Sequence, residues 1–300
     1  MTDRPPRLSV IVVAYEMARE LPRTVRSLSP ALQRGIDADD YEIVVVDNGS
    51  AAPVPQEALA QWGGNVRCIS VERPGKSPVP AVNAGLAAAR GDLCGVFIDG
   101  ARMATPGLLA HALAAGALSS SPVISTVGFH LGPEHQSQSA GKGYEQRFED
   151  FLLASIDWTA DAYRLFLISC FAGSSPHGWF GPVTESNGLF MKRSAWQALG
   201  GYEERFASAG GGLSNLDVFK RAVERWPDEL VVLLGEGTFH QYHGGVSSNA
   251  TQSKWPDFQR EYAGIRGRPW ECPQTTPRYF GSVHRHAAAL MEVSAKALQG

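Results

Sequence analysis

The first apolar stretch of the chain, LSVIVVAY (8–15), is nearly continuous and only eight residues long. A run of that length and β-branched content predicts a strand buried on both faces. YEIVVVDNGS (41–50), VRCIS (66–70) and LCGVFIDGA (93–101) repeat the pattern. Between them apolar positions step at helical spacing: Leu21, Val25, Leu28 and Leu32 behind Pro22, and then PAVNAGLAAARG (80–91), with Gly91 as its expected close. Buried runs alternating with helical segments predict an α/β protein with a mostly parallel, doubly wound sheet flanked by helices.

The second half is less regular. Tyr144, Phe148, Leu152 and Ile156 step by four and predict an amphipathic helix. GPVTESNGLFMKR (181–193) reads as a turn and strand, Ser194 as a cap of a short helix, Leu216, Phe219 and Val223 as a further helix, and LVVLL (230–234) as a late strand. A last helix is expected from about Val283. The division expected is one domain over residues 1–249 and an extension, 250–300, packed on it.

In open parallel sheets ligands sit beyond the carboxyl ends of the strands, where helix N-termini and free backbone groups converge. Three of the expected strands end there in polar residues: Tyr15-Glu16, Asp47-Asn48 and Asp99-Gly100. That coincidence locates the candidate site.

Composition narrows the partners. A formal charge of −3 over 300 residues, with Lys and Arg scattered, gives no general attraction to nucleic acid or anionic lipid. The leading apolar run is too short for a secretory or membrane-spanning segment, and His111, Gly116 and a serine run interrupt the one from Gly107 to Ile124. A cytoplasmic protein is therefore expected. Cys68, Cys94, Cys170 and Cys272 lack metal or redox spacing and read as free thiols. No Gly-x-Gly-x-x-Gly turn follows the first strand, which argues against a dinucleotide cofactor.

SVIVVAYE with its Leu-x-x-x-Val-x-x-Leu helix, EIVVVDNGS, GKSPVPAVNAGLAAARGDLCGVFIDGARMATP and GLFMKRSAWQALGGYEERF resemble, in order and spacing, glycosyltransferase family 2 over roughly residues 7–225. The resemblance implies a GT-A fold holding a nucleoside diphosphate sugar, of UDP type, as donor. On it Ala14, Tyr15 and Glu16 wall the base, Asp47 accepts from the base, and Asp99, beside Gly100, contacts ribose or a metal-bound water. Lys76 and Asn83 pass near the donor. An Asx-turn with Gly49 is the competing reading of Asp47, and a solvated loop lysine that of Lys76.

The sequence departs from the family at two places. The second aspartate of the Asp-x-Asp signature, a Mn²⁺ or Mg²⁺ ligand, falls on Ala101, whose methyl group cannot ligate. Arg102, through bidentate hydrogen bonds to the diphosphate, and the late histidines His240 and His243 are the substitutes. On a regular strand these two histidines point to opposite faces, so at most one is expected at the site unless the chain turns. The catalytic Glu-Asp pair falls on Ser214-Asn215, where Asn215 reads as an N-cap; Asp217 or Glu185 must then supply a base if the reaction inverts.

Two functions stay open at this point: a transferase acting on a small-molecule, glycan or protein acceptor, and a catalytically inactive module that binds the nucleotide sugar. The acceptor-side segment, 125–182, matches nothing that would name the acceptor.

Overall fold

The computed structural model describes residues 4–139, 142–243 and 254–299. Ten strands form a mixed sheet: β1 (Leu8–Ala14), β2 (Tyr41–Asp47), β3 (Val66–Ser70), β4 (Leu93–Phe97), β5 (Arg102–Ala104), β6 (Val123–Leu131), β7 (Ser169–Phe171), β8 (Leu189–Lys192), β9 (Leu230–His240) and β10 (Arg278–Gly281). Their order is β10-β9-β6-β8-β4-β1-β2-β3, with β5 paired to β9 and β7 to β6. Neighbours are parallel except around β8, β5 and β7.

Alternation along the central strands divides the interior in two. Ile11, Val13, Val44 and Val46 enter one hydrophobic cluster, while Val10, Val12, Ile43 and Val45 enter the other. Both faces are covered, which is why these strands carry no polar stripe. The helix Val79–Ala88 packs closely on one face, and a Cβ at its Gly85 would lie 2.4 Å from Ile11 Cγ2.

Three local expectations change. Gly91 does not close its helix: the helix ends at Ala88, and Gly91 N–H donates to Ser9 Oγ at 2.8 Å, against the backbone of β1. The short helix Arg193–Leu199 begins one residue before Ser194 and is closed by Gly200 in the left-handed region, φ 78°. In the helix Gln146–Ser155 the fully buried positions are Glu149 and Leu153, while Phe148 is exposed. Glu149 takes a core place because Arg19 Nη2 and Tyr242 N–H satisfy its two oxygens, at 3.2 and 2.7 Å.

The carboxyl-terminal residues are built into the same body. β10 adds to the sheet beside β9, and Phe258 and Tyr262 of the helix Trp255–Arg266 join the main core. All four cysteines are free. No helix among the described residues is long and apolar enough to cross a membrane.

Candidate functional site

Strand direction decides which residues meet. β8 runs antiparallel to both β4 and β6, so two reversals restore the original direction, and β9 is parallel to β6. The carboxyl ends of β1, β2, β4, β6 and β9 therefore share one edge. Ala14, Asp47, Asp99, His130 and His240 arrive there, and β5 crosses β9 with Arg102 opposite His240.

Asp99 is the centre of the cluster. Its Oδ1 accepts from Ala101 N–H at 3.0 Å, and its Oδ2 lies 2.8 Å from His240 Nε2 and 3.4 Å from His243 Nε2. Both histidines thus converge, contrary to the opposite-face expectation. The strand ends at His240 and the three residues after it are irregular, so the period-two rule stops applying before His243. Gly244 and Gly245, which follow, lie outside the described residues.

Gln136 fixes the tautomer of His240. Its amide Nε2 donates to His240 O at 3.0 Å, so its Oε1 is left to accept from His240 Nδ1–H at 2.6 Å. A neutral His240 then presents a lone pair from Nε2. Burial drives its pKa down to about 4 despite Asp99, whereas Asp99 outweighs burial at His243 and raises it. Burial alone would raise the Asp99 carboxyl, but His243 and His240 hold it well below the usual carboxylate range. Ligand atoms of the three side chains lie within 4.8 Å of one another. With the His240 lone pair aimed at a carboxylate, this set fits a divalent cation, and its two imidazoles suit Mn²⁺ or Zn²⁺ better than Mg²⁺.

Arg102 stands beside this cluster, 8% exposed. Its Nε and Nη1 are buried without a hydrogen-bond partner among the described residues. Burial lowers its pKa, opposed by Asp99 and Glu185, but a guanidinium stays charged. A buried cation with unmet donors is costly, and an anionic ligand would meet the need.

At the carboxyl ends of β1, β2 and β3 lies a cavity of about 350 Å³ lined by Ala14, Asp47, Val54, Gln56, Cys68 and Ser70, among others. Asp47 Oδ2 accepts from Gly49 and Ser50 N–H, at 2.9 and 3.0 Å, so the Asx-turn exists and leaves Oδ1 for a ligand. Glu16, at φ 52°, is held by its Oε1 accepting from Ala51 N–H at 2.7 Å. Tyr15, which follows β1, is 55% exposed. Gly100 is needed for packing, since a Cβ there would sit 2.7 Å from Val13 O. A larger cavity, 450 Å³, lies at the opposite edge against Arg7 and Leu93, where strands begin and none of these groups reaches.

Other expected residues fare differently. Asn83 is tied to backbone: its Nδ2 donates to Tyr202 O and its Oδ1 accepts from Tyr202 N–H, both at 2.9 Å, so it pins the Gly-Gly-Tyr segment and has no amide left for a donor. Lys76 is an exposed loop lysine. Asp217 is unsuited to be a base, because its buried carboxylate is paired with Arg221 at 2.8 Å and Arg266 at 2.7 Å. Asn215 is no N-cap: the helix starts at Ser214, and Asn215 Nδ2 donates to Glu185 Oε2 at 2.8 Å. Tyr202 O–H donates to Asn215 Oδ1 at 2.9 Å, which fixes that amide's orientation. Glu185 also accepts from Asn187 Nδ2 at 3.3 Å and is close enough to influence Arg102.

Gln136 and His130 were not anticipated. His130, opposite His240 in the ladder, accepts from Gln136 N–H through Nδ1 at 3.1 Å. Burial, with His240, His135 and Arg102 nearby, holds it far below 6.5 and therefore neutral. The signal available was a histidine ending the apolar run VISTVGFHL (123–131).

Comparison with known proteins agrees with this layout. Residues 9–131 match the family model for glycosyl transferase family 2. Among solved structures, S. aureus TarS residues 1–349 in complex with UDP-GlcNAc aligns with a TM-score of 0.56 at 14% identity, covering 97% of this chain and 71% of that one. A longer S. aureus TarS structure aligns at 0.52 and 15%, covering 87% and 43%. No curated protein sequence matches. The mixed sheet of this chain has the GT-A fold, and the segment that matches the glycosyl transferase family 2 model, 9–131, carries Asp47, Asp99 and Arg102.

Proposed function

We propose that the chain transfers a sugar from a nucleoside diphosphate sugar to an acceptor, with a UDP-type donor. The observation that carries the reading is the buried guanidinium of Arg102, whose Nε and Nη1 have no hydrogen-bond partner among the described residues, beside Asp99 at the edge where the parallel strands end. In this reading the base enters the 350 Å³ cavity against Asp47, a ribose hydroxyl donates to Asp99, and the diphosphate accepts from Arg102. TarS, with the same fold, is solved with UDP-GlcNAc, which supports the donor class.

Asp99, His240 and His243 would hold a divalent ion, which supplies positive charge to the departing diphosphate. Arg102 contributes the same sign of charge from the protein itself, so nucleotide affinity is expected to persist in chelator, at a reduced level. Glu185 is the proposed acceptor-side base. Its carboxylate is oriented by Asn215 and Asn187, at the place where the family pattern puts an aspartate on position 215.

Calorimetric titration with UDP, GDP and dTDP, with and without EDTA, tests the binding half. Consumption of the tightest-binding donor, including slow hydrolysis by water, tests the catalytic half. Absence of any nucleoside diphosphate binding would remove the proposal.

A further inference from the structure

A second cluster of ligating side chains lies outside the family segment and shares no residue with the Asp99 group. Asp161, His284 and His286 each bring a ligand atom within 4.8 Å of the other two. His284 and His286 are two residues apart, on the approach to and within the short turn Arg285–Ala287, and Asp161 caps the turn Ala162–Ile168. We propose that these three residues form a Zn²⁺ site that fastens the carboxyl-terminal segment to the body of the protein.

The side chains are arranged as ligands need to be. Asp161 Oδ1 is used internally, accepting from Tyr163 N–H and Arg34 Nη2, both at 3.2 Å. Its Oδ2 faces His286 Nε2 at 4.0 Å, and that nitrogen is buried with no hydrogen-bond partner among the described residues. Four ångströms is too long for a hydrogen bond. Two ligands each about 2.1 Å from one ion stand roughly 3.4 Å apart at the tetrahedral angle, so this pair needs to close by only about 0.6 Å. The His284 ring is stacked on Tyr163 with centroids 4.3 Å apart and planes within 8°, which fixes its orientation before any ion arrives. Its Nδ1 accepts from His286 N–H at a long 3.3 Å, so that lone pair is only weakly engaged.

The donor set names the ion. Two imidazoles and one carboxylate favour Zn²⁺ over Mg²⁺ or Ca²⁺, which demand oxygen ligands. The Asp161 and His286 side chains are 17% and 19% exposed and His284 is half-buried, so water can complete the coordination and the ion can enter. Arg34 beside Asp161 reduces the negative charge offered to a cation and makes the site weaker than a closed structural zinc. The ion would join position 161 to positions 284–286, adding to the anchor in which Ser294 Oγ accepts from Phe180 N–H at 3.0 Å.

The test uses the full chain stripped with EDTA and dialysed, with Zn²⁺ alone as probe. In Asp99→Asn/His243→Gln protein, which lacks the other cluster, calorimetry is expected to find one saturable equivalent of Zn²⁺ and a rise in Tm. Adding His286→Ala should weaken that binding at least ~100-fold and cancel the Tm rise. No saturable binding in the double variant, or equal binding with and without His286, overturns the proposal. If circular dichroism shows the double variant unfolded, stoichiometry in wild type against His286→Ala decides: a loss of one equivalent supports the site and an unchanged count overturns it. None of these readouts depends on nucleotide binding, so they stand apart from the proposed transferase function.

Discussion

Asn215 Nδ2 donates to Glu185 Oε2 at 2.8 Å, so the residue that replaces an acid in the family pattern holds one in place. Glu185→Gln is expected to lower turnover about 10²–10⁴-fold, the usual contribution of a positioned base, with donor affinity unchanged. Asn215→Asp would set two carboxylates against each other and raise the pKa of one, moving the acid limb of the rate profile to higher pH. Rate profiles and calorimetry on both variants check this, and an unaffected Glu185→Gln enzyme would remove Glu185 from the chemistry.

Arg102 is expected to carry part of the diphosphate charge. Its replacement by Ala should cost about 1.5–3 kcal/mol of nucleoside diphosphate affinity, the range for hydrogen bonds to charged groups, and the loss should be larger in EDTA. Nucleoside affinity, lacking phosphates, should not change. An Arg102→Ala protein that binds UDP normally in chelator would show that the guanidinium does not meet the phosphates.

Asp47 closes the turn through Oδ2 and lines the cavity. Asp47→Ala should weaken nucleotide binding by about 1–3 kcal/mol. Asp47→Asn keeps an oxygen for the turn and should lose less. Equal affinity for wild type and Asp47→Ala in calorimetry would take the base out of this cavity.

Glu42 gives a pH dependence to folding. Burial would raise its pKa, but Arg67, Arg90 and Ser9 hold it to about 2, against 4.5 for an ordinary glutamate. A folded-state pKa below the unfolded one stabilises fully above pH 4.5, and that stabilisation is lost as pH falls towards 2. The amount is about 3 kcal/mol. Urea midpoints measured from pH 6 to pH 2.5 should fall, and Glu42→Gln should start lower and lose this component of the slope.

Asp217→Asn tests the opposite expectation, a structural acid. The change leaves the half-buried guanidiniums of Arg221 and Arg266 without this carboxylate, although Arg266 keeps Glu203 at 3.3 Å, and should cost roughly 1.5–3 kcal/mol of stability, the range for hydrogen bonds to charged groups. The folded fraction should keep its turnover. A selective loss of kcat at full stability would return Asp217 to the list of catalytic groups.

The sequence made the sheet legible because each central strand is covered on both faces and reads as an unbroken apolar run, as in Leu8–Ala14 and Tyr41–Asp47. Asp47 and Asp99 were legible because they follow those runs directly. His243 was not, since its position depends on where β9 ends. Glu185 and Asn215 are thirty residues apart, and no local period links them. Asn83 and Asp217 carried suitable chemistry at suitable spacing, but their partners, the Tyr202 backbone and Arg266, are brought to them by tertiary packing.

The reversed direction of β8 has a consequence for how this scaffold can diversify. Because β8 runs against its neighbours, the residues entering it, rather than those leaving it, reach the edge where the parallel strands end. Glu185 is therefore anchored from behind by Leu189–Lys192, and on its other side Thr184 donates through Oγ1 and N–H to Ser174 O, at 3.0 and 3.4 Å. The connection from Phe171 can change at its exposed points, such as Gly173 and Pro176, while these two holds keep Glu185 in place. Under the proposed function, rewriting this single connection would present one chemical centre to differently shaped acceptors.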